Sequence, residues 1–165
     1  MRPTWFVRRA VENDSKEVED LQKRTHRPLR SDSEILEYFV AISDHKIVGC
    51  AAVRARNKLG YLYGLVVDKP WRKKGIGHAL TQERLDWLRG TKASSVFVMS
   101  MFWNIKFFKK HGFTVANKRK HLGLQQLHED FTDAWSNRSC LMAVELSSPI
   151  ESPEVTRRID GYRIT

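Results

Sequence analysis

The residues with the plainest chemical meaning are Arg72, Lys73 and Lys74, which run directly into Gly75-Ile76-Gly77-His78. Upstream, Tyr61-Leu62-Tyr63-Gly64-Leu65-Val66-Val67 is almost continuously apolar, as in a central strand buried on both faces. Downstream, Ile76, Ala79, Leu80 and Trp87 fall on one face of a helix that Gly90 is placed to stop. A strand passing through a glycine-containing loop into a helix presents unpaired backbone N–H groups at the positive end of the helix dipole. Such a segment can hold an anion. Gly75 and Gly77 let the backbone approach a bulky phosphate with no Cβ in the way, and the three cations add charge. A P-loop would end in Gly-Lys-Ser/Thr, and a dinucleotide fingerprint would carry a third glycine three residues after Gly77; neither is present. On spacing alone, a plain turn before a helix stays open beside the phosphate site.

Charge is concentrated around this segment. Among 165 residues, 29 Lys and Arg stand against 19 Asp and Glu, a net charge of +10. Residues 69 to 92 hold seven Lys or Arg and two acids, residues 104 to 121 hold six and none, and the rest of the chain comes to −1. An anionic partner is expected, although solvated helix faces account for any single lysine. With 41% apolar and 29% charged residues, one compact domain is expected rather than a disordered chain. Cys50 and Cys140 are too few for a disulfide scaffold and lack the spacing of a zinc site, so both read as reduced apolar residues and no metal is expected. No run has the length of a membrane span, and Met1-Arg2-Pro3-Thr4-Trp5 has no apolar signal core, so a cytoplasmic protein with no membrane partner is expected.

The elements that must position the loop follow from pattern. Thr4 to Ala10 suits a first strand, and Asp14 with Glu17 reads as a capping box opening a helix through Val18 and Leu21. A basic loop around Arg27, Pro28 and Arg30 follows, then a second capping signal at Ser31 and Glu34 predicts a helix through Ile35, Leu36 and Phe39. Phe39 to Ile42 and Lys46 to Ala55 form a hairpin about Ser43-Asp44-His45, and Gly60 marks the next turn. Beyond the central strand and helix come a strand at Ser95 to Met99, a short helix over 104 to 111 ending at Gly112, and a strand at Phe113 to Ala116. An apolar excursion from Leu122 to Trp135 and a last strand at Ser139 to Leu146 complete the order. The domain is expected to occupy 1–146, and 147–165 to form a flexible or partner-dependent tail.

Arg72-x-x-Gly75-x-Gly77 after a buried strand, followed in order by Phe107-Phe108-Lys109-Lys110-His111-Gly112-Phe113, resembles the GNAT superfamily of acetyl-CoA-dependent N-acetyltransferases. The resemblance covers residues 4 to 146. It implies an α/β (α+β) fold: a mixed, mostly antiparallel sheet, splayed between its central strands at 61–67 and 95–99, with helices on both faces. It also implies that the pantetheine arm of acetyl-CoA bonds strand backbone near Leu65, Val66 and Val67. The pyrophosphate would sit on the amides of Arg72, Lys73, Lys74, Gly75, Ile76 and Gly77, with His78, Asn104 and Phe107 also at the cosubstrate.

Two departures from the family pattern concern catalysis. Many members place a glutamate base on the central strand; here Tyr61 stands at that position, and Tyr61 with Tyr63 are the candidate catalytic residues. A phenol with a reference pKa of about 10 is a poor base, which leaves a water chain or another carboxylate as alternatives. Both tyrosines also read simply as β-forming aromatics. Many members carry Tyr where Phe108 stands, so Phe108 cannot be the acid that protonates the thiolate. His78 and His111 are conceivable proton carriers, although a histidine beside a glycine turn is commonly a surface residue. The Phe-Phe pair, the long excursion and Arg138-Ser139 are similar to small amino-acid N-acetyltransferases. For such an acceptor, Arg27 and Arg30 suit a carboxylate through bidentate pairing, unless they are solvated loop arginines. The expected activity is acetyl transfer to a small-molecule amine by a monomer or homodimer. The alternatives are a tRNA-linked or protein amine, for which the basic field would hold nucleic acid, or a CoA-binding module that has lost turnover.

Overall fold

In the computed structural model, which describes residues 4–25, 37–117 and 139–147, seven strands form one open sheet in the order β1-β2-β3-β4-β5-β7-β6. The elements are β1 (Phe6–Arg9), α1 (Ser15–Arg24), β2 (Glu37–Ser43), β3 (Lys46–Arg56), β4 (Leu59–Val67), α2 (Ile76–Arg89), β5 (Ser95–Met101), α3 (Ile105–Lys109), β6 (Thr114–Val115) and β7 (Ser139–Glu145). Every neighbouring pair is antiparallel except β4 with β5. The mixed, mostly antiparallel sheet expected from the resemblance is therefore the observed one. None of the helices among the described residues is long and apolar enough to cross a membrane.

Local chemistry sets the reversals. Asp44 and His45, with φ of 47° and 63°, make the left-handed two-residue turn that joins β2 to β3, as the hairpin reading required. The turn assigned to Gly60 lies earlier, at Asn57-Lys58, where Asn57 has φ 54°. Gly60 instead sits inside β4 opposite Ala55. A Cβ there would lie 2.8 Å from a Leu88 methyl, so the glycine admits a helix rather than bending the chain.

The capping box at Asp14 and Glu17 is also replaced by longer-range contacts. Asp14 occupies the N-cap of α1 without a side-chain capping bond. Its carboxylate accepts from Arg8 (2.7 and 2.9 Å) and from the Val11 N–H (2.7 Å), and Glu17 accepts from the Ile47 N–H at 2.7 Å. The pair thus ties α1 to β1 and β3. The helix expected to run through Phe39 gives way to strand at that residue: β2 pairs with β3 from Glu37 onward and with β1 from Phe39 onward. Residues 26–36, the excursion at 122–135 and the tail from 148 lie outside the described residues.

The two long helices lie on opposite faces of the sheet. Ile76, Leu80, Leu85 and Leu88 of α2 join Phe39, Ala51, Val53 and Leu62 in the main core. Val18 and Leu21 of α1 pack with Val40, Ile47, Cys50 and Val66. Of the face read from pattern, Ile76 and Leu80 are in the core, while Ala79 and Trp87 are half-buried at its flank and Leu85 and Leu88 complete it. Burying Leu80 or Leu88 completely stabilises the fold by about 1.5–3 kcal/mol each. Cys50 and Cys140 are buried thiols outside any disulfide, as expected.

The centre of the sheet opens. Pairing of β4 with β5 stops at Leu62 opposite Val98, while β4 stays on β3 to Val67 and β5 stays on β7 to Met101. Across from Cys50 to Ala52, β4 runs from Val66 back to Tyr63, one residue more than its partner, so it bulges there. Gly64, with φ 63°, supplies the left-handed residue that such a bulge uses. The parting strands leave a V-shaped gap.

Candidate active site between two parting strands

A cleft of about 660 Å³ fills the gap, walled on one side by β4 from Tyr61 to Val67 and on the other by β5 from Val98 to Met101. Because Tyr63 to Val67 have no β5 partner, this half of β4 presents backbone groups to whatever enters. Leu65, Val66 and Val67 line the cleft as expected, and so do Tyr61 and Tyr63.

One end of the cleft is the loop before α2. Arg72, Lys73, Gly75, Ile76, Gly77 and His78 all face it. Arg72 Nε donates to the Val67 carbonyl at 3.0 Å, folding the loop back on β4. Lys73 (φ 61°) and Gly75 (φ 86°) are both left-handed, and the Ala79 N–H bonds back to the Gly75 carbonyl at 3.0 Å. The amides that precede Ala79 at the helix start have no intrahelical acceptor, and the dipole favours negative charge beside them. Lys74 alone among the expected loop residues is not on the wall: its ammonium sits 4.8 Å above the Trp71 ring.

The other expected residues take more specific roles. Tyr61 and Tyr63 stack with centroids 5.4 Å apart, and burial raises the Tyr61 phenol above its ordinary range. Tyr61, like any phenol protonated at neutral pH, is moved further from acting as a base and is left as a hydroxyl donor. Asn104 and Phe107 line the cleft. Phe108 is buried edge-on between Phe107 and Phe113. Arg27, Arg30 and Arg138 lie outside the described residues, and Ser139 opens β7.

His78 and His111 are half-buried and bonded to each other. Their Nδ1 and Nε2 atoms lie 2.8 Å apart, joining the start of α2 to the turn after α3, and Phe107 stacks on His78 at 4.4 Å. Such a bond needs a donor and an acceptor, so at least one ring is neutral. Burial lowers both pKa values, aided by Lys110 at His78 and by His78 and Arg84 at His111. The unfolded chain therefore takes up protons first as pH falls. The pair's contribution to stability is complete above about pH 6.5 and is lost as pH drops through the lower folded-state values. Thermal midpoints measured from pH 8 to 5 should fall less steeply in His111→Gln than in wild type. Equal slopes would remove this assignment. Asp14, whose carboxyl is lowered chiefly by the Arg8 hydrogen bond, acts in a separate window below about pH 4.

Several cleft residues were not singled out by pattern: Trp103, Ser100, Gly64 and Arg84. Gly64 had a signal, since a glycine interrupting an apolar run marks a bulge. Arg84 had one too, as it stands midway between Leu80 and Leu88, both in the core.

Comparison with known proteins places the chain. The model of the acetyltransferase (GNAT) family matches residues 4–113. The chain belongs to that family. This GNAT chain is 36% identical over 70 residues to the amino-acid acetyltransferase of Mycobacterium tuberculosis, a match covering 42% of the chain and 39% of that protein. It is 26% identical over 108 residues to the L-amino acid N-acetyltransferase AaaT of Escherichia coli, covering 61% of the chain and 65% of AaaT. Less than two thirds of either relative's length is thus matched. The GNAT fold is shared with N-acetylglutamate synthase from Neisseria gonorrhoeae, solved with coenzyme A and N-acetyl-glutamate. That match has a TM-score of 0.70 at 21% identity and covers 89% of this chain and 36% of that one.

Proposed function

We propose that this acetyltransferase moves an acetyl group from acetyl-CoA to the α-amine of a small amino-acid-like substrate, by direct transfer in a ternary complex. The observation that carries the reading is the cleft itself: a half-strand with no β5 partner along one wall and the start of α2 with its free amides at one end. The first suits the amide-bearing pantetheine arm. The second suits a diphosphate. The amino-acid acetyltransferase relatives and the N-acetyl-glutamate held by the structural neighbour support the acceptor class.

In the proposed step the amine nitrogen forms a bond to the thioester carbonyl carbon, the carbon–sulfur bond breaks, and the thiolate leaves. The amine proton passes to water or a carboxylate, because Tyr61 is held protonated. The Tyr61 and Tyr63 hydroxyls are the candidates that meet the departing sulfur, since Phe108 has no hydroxyl and is buried in the core. Arg27 and Arg30 are proposed as carboxylate anchors. A screen of twenty amino acids and polyamines for thiol release from acetyl-CoA tests the reading. Release above background is expected with at least one amino acid and not with polyamines, which the net charge of +10 repels. Background release with every amine would leave only a CoA-binding module.

A nucleic-acid-linked or protein amine is the second reading, favoured by the exposed Lys106, Lys109 and Lys110 beyond the loop. Salt separates the two. A KM for the acceptor that stays flat from about 50 to 200 mM salt supports the amino acid, whereas a steep logarithmic rise supports a phosphate backbone.

A further inference from the structure

Arg84 lies in the third turn of α2 and is 1% exposed, among the most deeply buried of the large side chains. Its donors are spread over four acceptors. Nε donates to the Leu80 carbonyl at 3.1 Å and Nη2 to the Thr81 hydroxyl at 3.1 Å. Nη1 donates to the Ala52 carbonyl at 3.0 Å and to the Tyr63 carbonyl at 3.2 Å. Ala52 and Tyr63 face each other across β3 and β4 at the point where the register shifts, so one nitrogen bridges both strands at the bulge. Tyr63 is also the first β4 residue past the last pair with β5. Thr81 in turn donates to the Gly77 carbonyl at 2.9 Å, so a chain of hydrogen bonds runs from the anion loop to the bulge.

No carboxylate of the described residues pairs with this cation, and burial lowers its pKa to about 9. A leucine or methionine here would pack between Leu80 and Leu88 without that desolvation cost, as buried ions often can be replaced. Packing alone does not account for an arginine. We propose that Arg84 is a positioning residue that staples the β4 bulge to α2, fixing the half-strand that faces the acyl group relative to the loop that holds the diphosphate. This rests on the reading of the cleft as the acetyl-CoA site.

The test compares wild type with Arg84→Met and Arg84→Lys by amide hydrogen exchange and by steady-state kinetics. Arg84→Met should speed exchange at Gly64, Leu65 and Val66 by at least about tenfold relative to β2. It should lower kcat about tenfold or more with a clearly smaller loss of calorimetric affinity for CoA, since no residue of the diphosphate loop is itself replaced. Arg84→Lys, which keeps donors and charge, should recover most of both. Unchanged exchange at the bulge overturns the staple whether or not any amine is acetylated, and parallel loss of CoA affinity and kcat with no rescue by lysine reduces Arg84 to a structural residue. Wild type releasing no thiol would count against the functional reading alone. If Arg84→Met does not fold, Thr81→Val, which removes the hydroxyl between Gly77 and Arg84, should show the same pattern at smaller size. Its absence there also overturns the proposal.

Discussion

Gly75→Glu should abolish acetyl-CoA binding in a protein that still folds. Gly75 has φ 86°, where an L residue costs about 1–2 kcal/mol. Its Cβ would meet only Trp5 Cζ2 at 3.6 Å, an ordinary contact, so the position has room for a side chain. A carboxylate at the start of α2 regains about 0.3–1 kcal/mol from the helix dipole. The net loss of stability is therefore small. The ligand faces a different balance. A fixed negative charge about 4 Å from a phosphate is opposed by about 4 kcal/mol at an effective dielectric constant near 20, roughly a thousandfold in affinity. Gly75→Ala separates the two effects, since it carries the backbone strain without the charge, and should lose far less. Calorimetric affinity that is unchanged in Gly75→Glu would sink the placement of the diphosphate.

The second large effect is on stability. Leu88 is fully buried, with its methyls 2.8 and 2.9 Å from where a Gly60 Cβ would lie. Leu88→Ala should cost about 2–5 kcal/mol through lost burial and the cavity left behind. At about 2–4 °C per kcal/mol for a chain of this size, the thermal midpoint should drop by roughly 10 °C. Gly60→Ala alone should cost about 1–3 kcal/mol by overpacking. In the Leu88→Ala background the same methyl enters the vacated space, so its cost should vanish or change sign. Denaturant unfolding of the four proteins measures this coupling. Strict additivity would show that Gly60 and Leu88 do not share the contact described.

These two sites also show what pattern can and cannot reveal. The glycine loop was legible because its requirements are local: a buried strand before it, a helix after it, and residues able to hold a left-handed backbone. The Asp44-His45 hairpin was legible for the same reason. Gly60 was not, because a glycine kept small by a helix 28 residues later looks like a turn. Asp14 and Glu17 have the spacing of a capping box, yet the nearby Arg8 guanidinium and the Ile47 N–H of β3 compete successfully for their carboxylates. The parting of β4 from β5 came from resemblance, and its physical cause is visible only in the ladder, where each strand keeps its outer partner. Tyr61 shows the same limit in electrostatics: residue type puts its ordinary pKa near 10, already protonated at neutral pH, and only the structure shows that burial pushes it higher still. The Arg84 side chain reads as one more basic residue in a basic segment until its four acceptors are seen.

Acetyl-CoA is proposed to lie between β4 and β5 with its diphosphate on the loop before α2. Titrating CoA into the isotope-labelled protein and following backbone amide resonances measures this placement most directly. Saturable shifts concentrated at residues 63–67 and 73–78 are expected, with little change along β1 and β2. Shifts that never saturate, or that map to the β1 edge and leave the loop unmoved, would contradict it.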